Sequence, residues 1–515
     1  MKVLMPRYKN LIDFFDGCLI KRNLLNRNCL EVLRKGRKEA LTFGQLEKEA
    51  KDFANYLIEE KNIQIGDKIA ILGKNRKDWD IAFWGVVLAG AIPVLIDPER
   101  RIEGVKKHLL HTDSKILIAA DDYQDEIPFI QGLDLIKMTV YAKTGSKKSL
   151  EAISCNIKSD DTAVILCTSG TTGDPREVEL THANLISNIL GSLTIVKIGP
   201  KDKLGHILPP HHSFGLTVGK LLPFSAGAVN IYSDKYGQIG DLIRDKKITI
   251  FVAVPILFKA LTKRLKKLSY VQKIYLRKIA WRKLRFCISG SAALSKEVLN
   301  IFWQTGIELR EGYGTTENSP VYGFNTNPDK LGSVGEPIPN LFVKIVDKEI
   351  LLGGPCIMKG YYKNPEATAR TVETDEKGIR WLHTGDLGYL DQDNDLYITG
   401  RKKYTIVLPN GKNVAPELVE SIISGANYIK EILIVPFRDG LGAFVAPDWD
   451  EIPDKDRSTA KNLVWESINE YQHQNKELSS FERIPSKSCI AIVDDFERTV
   501  NGKIKRELYL NKALE

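Results

Sequence analysis

A chain of 515 residues is too long for one hydrophobic core and predicts two or more domains. Its 43% hydrophobic and 27% charged residues are those of a globular protein, and its net charge of +9 permits an anionic partner without demanding one. No basic-aromatic strand pair stands out, so nucleic acid is not expected as a partner, and seven scattered cysteines without a Cys-x-x-Cys pair exclude a disulfide framework or zinc site and fit a reducing, cytoplasmic compartment.

At the N-terminus Asp13 and Asp16 interrupt any signal-like apolar run. Thr42, with Gln45 three residues on, predicts a helix cap. Ile69 to Leu72 reads as a buried strand, Trp79 to Leu88 as a helix, and Val94 to Ile96 and Lys115 to Ala119 as further strands. The apolar run Ile81 to Ile96 falls short of the roughly 20 residues of a membrane span and reads as a core helix turning into a core strand. This alternation predicts an α/β sheet with ligands beyond the strand ends.

Val164-Ile165-Leu166-Cys167 is a short buried strand, and Thr168-Ser169-Gly170-Thr171-Thr172-Gly173 follows it. Six consecutive small donors, two of them glycines that let a ligand approach the backbone, suit phosphate oxygens. No Gly-Lys-Ser/Thr follows, so the stretch is not a Walker loop but a phosphate cradle of another kind.

Asp174-Pro175 turns the chain into a second strand, and Thr181 caps the next helix, where His182 reads as structural. In Leu208 to Leu216 the adjacent His211 and His212 point apart, with no third metal ligand nearby. His212 is the pocket candidate and His211 reads as structural. Lys259 to Arg285 carries eleven Lys or Arg and no acid, with Leu261, Leu265, Leu268, Ile274 or Tyr275, and Ile279 at helical spacing. It predicts a basic amphipathic helix or helix pair: a solvated face, or one for anionic headgroups at a membrane periphery, or one for an acidic carrier protein.

Phe286 to Ala292 is a strand running into small residues, and Leu309 to Glu317 ends in Gly312-Tyr313-Gly314-Thr315-Thr316-Glu317, an aromatic for a base and a carboxylate for Mg²⁺. Residues 332–401, rich in glycine and short strands, predict a small β-rich subdomain, with Trp381 and Tyr397 in its core and Asp386 placed to accept from ribose hydroxyls. Beyond Arg401 one more α/β unit is expected, with strands at Ile432 to Val435 and Ile490 to Val493, a helix at Lys461 to Tyr471, and Lys503 after an Asn-Gly turn.

In this order, from Leu41 to Arg506, these stretches resemble the adenylate-forming superfamily. Gly360 to Thr368 and Ile406 to Pro416 are most similar to its long-chain fatty-acid ligases, and His212 to Thr217 to its acyl-carrier-protein synthetases. The resemblance implies an α/β adenylation domain over 1–401 and a mobile C-terminal domain over 402–515 hinged near Lys403. It implies that a fatty carboxylate attacks the α-phosphate of ATP, giving acyl-adenylate and pyrophosphate, before the thiol of CoA, or the phosphopantetheine of an acyl carrier protein, takes the acyl group.

By resemblance, Thr168 to Gly173 would hold the β- and γ-phosphates, Glu317 Mg²⁺, and Thr316 the α-phosphate. Tyr313, between Gly312 and Gly314-Thr315, would stack on adenine, and Gly290, Ser291 and Ala292 would wall the pockets. Asp386 would take the ribose hydroxyls beside Arg401, His212 would sit near the carboxylate, and Lys503 would reach the developing charge.

The chain departs from the family after Pro175, where Arg176-Glu177 replaces Lys-Gly, and before Lys503, where Glu497-Arg498-Thr499 replaces Leu-Pro-Lys-Thr. Arginine can still pair with phosphate. Glu177 would repel phosphate if it faced the site and matter little if it faced solvent. The departure also motivates a different reading, a degenerate nucleotide-binding protein without turnover. An amino-acid-activating role is disfavoured, since no acid stands beside His211-His212-Ser213-Phe214.

Overall fold

The computed structural model describes residues 8–20, 24–34, 37–126, 130–139, 151–168, 176–233, 239–498, 504–510, 512 and 514. Capped amphipathic helices begin where the sequence predicts them. Thr42 Oγ1 accepts from Gln45 N at 3.1 Å and Gln45 returns the bond to Thr42 N, starting a helix at Phe43–Glu59 that buries Phe43, Leu46, Ala50, Phe53 and Leu57. Thr181 and Asn184 form the same reciprocal cap for His182–Val196.

The apolar run becomes a helix at Lys77–Leu88, buried nearly all round, and a strand at Ile92–Ile96. That strand lies in a seven-stranded sheet, ordered 360–361, 176–181, 162–168, 92–96, 68–72, 116–119, 134–137. From 162–168 onward its pairings are parallel, as βαβ crossovers require, and Thr162–Thr168 meets Arg176–Thr181 as an antiparallel hairpin.

A second sheet of eight strands runs 323–324, 308–313, 286–289, 250–253, 203–206, 229–233, 28–34, 37–42, parallel except at its two ends. One continuous apolar core joins residues of both sheets and the helices between them. Residues 342–401 add an antiparallel five-stranded sheet. The C-terminal unit has a three-stranded sheet, 429–437, 440–447 and 490–492, backed by the helix Arg457–Gln474. The fold is therefore a large α/β region of two main sheets, a β-rich sheet and a smaller α+β unit. Among the described residues no helix is long and apolar enough to cross a membrane.

Three expectations need correction. The central C-terminal strand, Gly440–Pro447, adds to the two strands the sequence predicts: Gly440 and Gly442 break its apolar run, and it pairs on one side with the preceding strand 429–437 in a hairpin and on the other with the distant strand 490–492. Tyr397 is only half-buried; it stacks at 5.1 Å on the exposed ring of Tyr389, its cross-strand partner, whereas Trp381 is buried as expected.

The basic stretch changes phase partway. Leu261 and Leu265 are buried in the helix Pro255–Lys266. A new cap at Ser269 then restarts the helix, and a π turn at Leu276–Ala280 adds residues per turn. Leu268, Leu276 and Ala280 face the core, leaving Ile274, Tyr275 and Ile279 on the outside.

Candidate active site

The site lies where the two large sheets and the 342–401 sheet meet. Glu308–Tyr313 delivers the Gly-Tyr-Gly-Thr-Thr-Glu stretch, and the chain then turns through Thr316–Asn318. Thr315 N–H donates to Asn318 Oδ1 at 2.6 Å, closing the turn. Gly314 sits at φ +155, where a Cβ would collide with the Pro320 carbonyl oxygen, so glycine is required there.

Two expected residues, Tyr313 and Asp386, meet directly. Tyr313 Oη donates to Asp386 Oδ2 at 2.6 Å, and Arg401 Nε lies 2.8 Å from Oδ1 of the same carboxylate. Asp386 and Arg401 are cross-strand partners, which fixes their approach. Burial and the Asp386 charge lift the Tyr313 phenol well above its ordinary range, so it remains a donor. Burial opposes the Arg401 cation, but Asp386 and Glu417 outweigh it and raise its pKa. Glu417, from the C-terminal unit, also accepts from the Arg401 backbone N–H at 2.8 Å.

Thr316 and the His212 segment are joined through Ser213, to which no motif assigns a role: Ser213 Oγ and Thr316 Oγ1 share a hydrogen bond of 3.0 Å. Gly215 lets this turn close, since a Cβ there would strike the Pro209 carbonyl oxygen. His211, read as structural, is buried, with Nε2 3.4 Å from Asp97 Oδ1. Burial, reinforced by His212, Arg100 and Lys74, pushes its pKa well below the usual histidine value, so it is neutral. His182 is structural too: its Nδ1 accepts from Leu11 N–H at 3.1 Å, and burial lowers its pKa to about 4.

Glu317 accepts from Tyr361 Oη at 3.0 Å. Above the Tyr361 ring, 5.1 Å from its centroid, stands the Arg176 guanidinium. Arg176, the family departure, is thereby joined through one aromatic ring to the expected metal ligand. Tyr361 stands one residue after Gly360 in the motif, and its strand pairs with Val178. The carboxylate of Glu317 and the hydroxyls of Thr316 and Ser213 are oxygen donors only, the set that Mg²⁺ takes.

The expected wall is divided. Gly290 is buried, with Phe214 packed where its Cβ would be, while Ser291, at φ +76, and Ala292 are exposed. Glu311, not foreseen, is buried behind them, accepting from Leu294 N–H at 2.8 Å. Thr168 ends its strand; Ser169, Gly170, Thr171, Thr172 and Gly173 lie outside the described residues, as does Lys503. The base of the Lys503 segment is described: Arg498 and Ile504 form a β-bridge, and Arg498 pairs with Glu431. Lys403 lies in the short turn Lys402–Tyr404, 3.3 Å from Glu507 Oε1.

Glu177 faces neither phosphate nor solvent. It is buried against the helix Ile102–His111, where His108 Nδ1 lies 2.6 Å from one carboxylate oxygen and His111 Nδ1 3.1 Å from the other.

A two-sheet α/β region, an aromatic-carboxylate-arginine cluster and a smaller C-terminal unit define a class. The chain superposes with a TM-score of 0.79 on an anthranilate CoA ligase in complex with anthranoyl-AMP, at 21% identity over 98% of this chain and 97% of that one. O-succinylbenzoate coenzyme A synthetase from Bacillus subtilis, in complex with AMP, gives 0.76 at 20% identity, covering 97% and 98%.

The AMP-binding enzyme family matches residues 22–362, and its C-terminal domain matches 403–513; the chain belongs to this family. Among curated relatives it is similar to a long-chain-fatty-acid–CoA ligase of Bacillus subtilis, 30% identical over 78% of this chain and 79% of that protein. It is also similar to 4-coumarate–CoA ligase 3 of Arabidopsis thaliana, 28% identical over 94% and 88%. A chloroplastic long-chain-fatty-acid–[acyl-carrier-protein] ligase of the same plant is 25% identical over 92% and 82%.

Proposed function

We propose that this protein activates a long-chain fatty acid with ATP, forming the acyl-adenylate and pyrophosphate, and transfers the acyl group to the thiol of CoA with release of AMP. The observation that carries the reading is the convergence of Tyr313 and Arg401 on the Asp386 carboxylate, together with the Ser213–Thr316 bond that joins the His212 segment to the turn following Tyr313.

On this reading residues 1–401 and 402–515 are two units that move about Lys403. Asp386, held by Tyr313 and Arg401, orients the ribose, and the Tyr313 ring faces the base. Thr168 to Gly173 cradle the outer phosphates. Thr316 and Ser213 present hydroxyls to the α-phosphate, where His212 and Lys503 stabilise charge as the carboxylate oxygen bonds phosphorus and pyrophosphate leaves. Glu317, with the neighbouring hydroxyls, would hold Mg²⁺, which supplies neutralising charge on the phosphates.

Fatty-acid specificity is supported by the Gly360 to Thr368 and Ile406 to Pro416 stretches and by the Bacillus relative. The Arabidopsis acyl-carrier-protein ligase supports a carrier protein as the second acceptor to try. ATP–pyrophosphate exchange across acids of rising chain length, followed by CoA and carrier protein side by side, tests the reading. Exchange is expected with long acyl chains and lost in Lys503→Ala. Exchange with coumarate or succinylbenzoate but with no fatty acid would overturn the substrate, and no exchange with any acid would leave a nucleotide-binding protein without turnover.

A further inference from the structure

The helix that closes the basic stretch turns an apolar stripe to solvent. Val271, Ile274, Tyr275 and Ile279 are 73%, 38%, 57% and 58% exposed, while Leu276, Ala280, Trp281 and Leu284 on the other side pack into the core. Side chains three and four apart on one helical face act as a single surface. The helix is held in place from beneath, because Arg277 Nε donates to the Gly306 carbonyl at 2.7 Å and Arg285 grips Asp202 through two bonds of 2.9 Å.

The cations of the stretch divide by direction. Lys263 pairs with Asp448 and Lys266 with Glu297, and Lys259 is half-buried in the field of Glu431 and Glu420. Those belong to the fold. Lys273, Lys278, Arg282 and Lys283 make no ion pair among the described residues, the last three are exposed, and no acid occurs between 259 and 285. A surface that exposes large aliphatic side chains and unneutralised cations together on one helix matches a layer that is anionic at its face and apolar just beneath.

We propose that residues 271–283 dock the protein peripherally on anionic lipid bilayers, with the cations on the headgroups and Val271, Ile274, Tyr275 and Ile279 at the boundary with the acyl chains. An acidic protein partner would satisfy the charges but would need a preformed groove for each of the four apolar side chains. The headgroup boundary accepts them without one. The proposal holds whichever acid the site activates.

Co-sedimentation of the full chain with phosphatidylcholine vesicles, and with vesicles containing roughly a third phosphatidylglycerol, tests it. Partition onto the anionic vesicles is expected to exceed that onto the neutral ones by about tenfold or more and to fall with added salt. Ile274→Ser with Ile279→Ser, and separately Lys278→Ser with Arg282→Ser, should each cut the partition about tenfold. Both variants should keep the melting temperature and pyrophosphate exchange of the parent, since these side chains are exposed and outside the site. Equal binding to both vesicle types, unchanged binding by either variant, or retention of an acidic carrier protein by this face without vesicle binding would overturn the proposal.

Discussion

Glu177 accepts a hydrogen bond from His108 Nδ1 at 2.6 Å, inside the protein and on the second residue of the strand Arg176–Thr181. A carboxylate can only accept, so the proton sits on the imidazole. Burial alone would raise the Glu177 pKa, but the His108 bond and the charges of His108 and His111 hold it below the ordinary glutamate value. Cys167, its cross-strand partner, is pushed the other way by burial and by the Glu177 charge. The acid at this position therefore ties the loop-bearing hairpin to the helix Ile102–His111.

Restoring glycine at position 177 should accordingly harm and not help. Glu177→Gly strands a buried imidazole and is expected to cost about 2–4 kcal/mol of stability, with no gain in pyrophosphate exchange. Urea unfolding beside the exchange assay reads both. A faster, equally stable variant would mean that the carboxylate faces the nucleotide after all. Because the Glu177 pKa is depressed, its contribution is present above the unfolded carboxyl value of 4.5 and is lost as pH falls below it.

Glu311 makes the opposite pH prediction. Burial lifts its carboxyl to about 7, opposed only by the Leu294 N–H. The folded protein thus binds this proton more tightly than the unfolded chain does, and the stabilisation present below 4.5 is lost as pH rises through 7. Glu311→Gln should match the parent near the acidic end and exceed it by about 3 kcal/mol well above neutrality. Thermal unfolding across pH measures this, and a pH-independent difference would show that Glu311 does not titrate in that window.

At the proposed nucleotide site, Asp386→Asn leaves the Arg401 cation without its carboxylate partner and weakens the Tyr313 bond. The apparent ATP affinity should fall by roughly ten- to a hundredfold, corresponding to about 1.5–3 kcal/mol. Tyr313→Phe removes one neutral donor and should lose only about threefold. ATP titrations of initial rate separate the two. A larger loss for Tyr313→Phe than for Asp386→Asn would contradict Asp386 as the centre of the cluster.

Gly215→Ala probes the turn that carries His212. Its Cβ meets a backbone carbonyl, which cannot rotate away as a side chain can, so the 209–215 turn must shift. A displacement near 1 Å is expected to lower kcat/KM by about a hundredfold. The adjacent Ser213→Ala, which removes only the bond to Thr316, should cost far less, and equal losses would point to the hydrogen bond in place of the turn.

Local chemistry was legible in the sequence. The caps at Thr42 and Thr181, the strand before Thr168, the Lys77–Leu88 helix and the order of the site stretches all rest on residues within a few positions of one another. Tertiary structure decided what distant elements bring together. Glu177 meets a histidine 69 residues away, Tyr313 meets Asp386 across 73, and Ser213 meets Thr316 across 103. The outward turn of Ile274, Tyr275 and Ile279 likewise follows from a cap and a π turn that reset the helical phase against the core. Side-chain direction at such points depends on which surface is buried opposite, and a one-dimensional pattern of residue types does not carry that information.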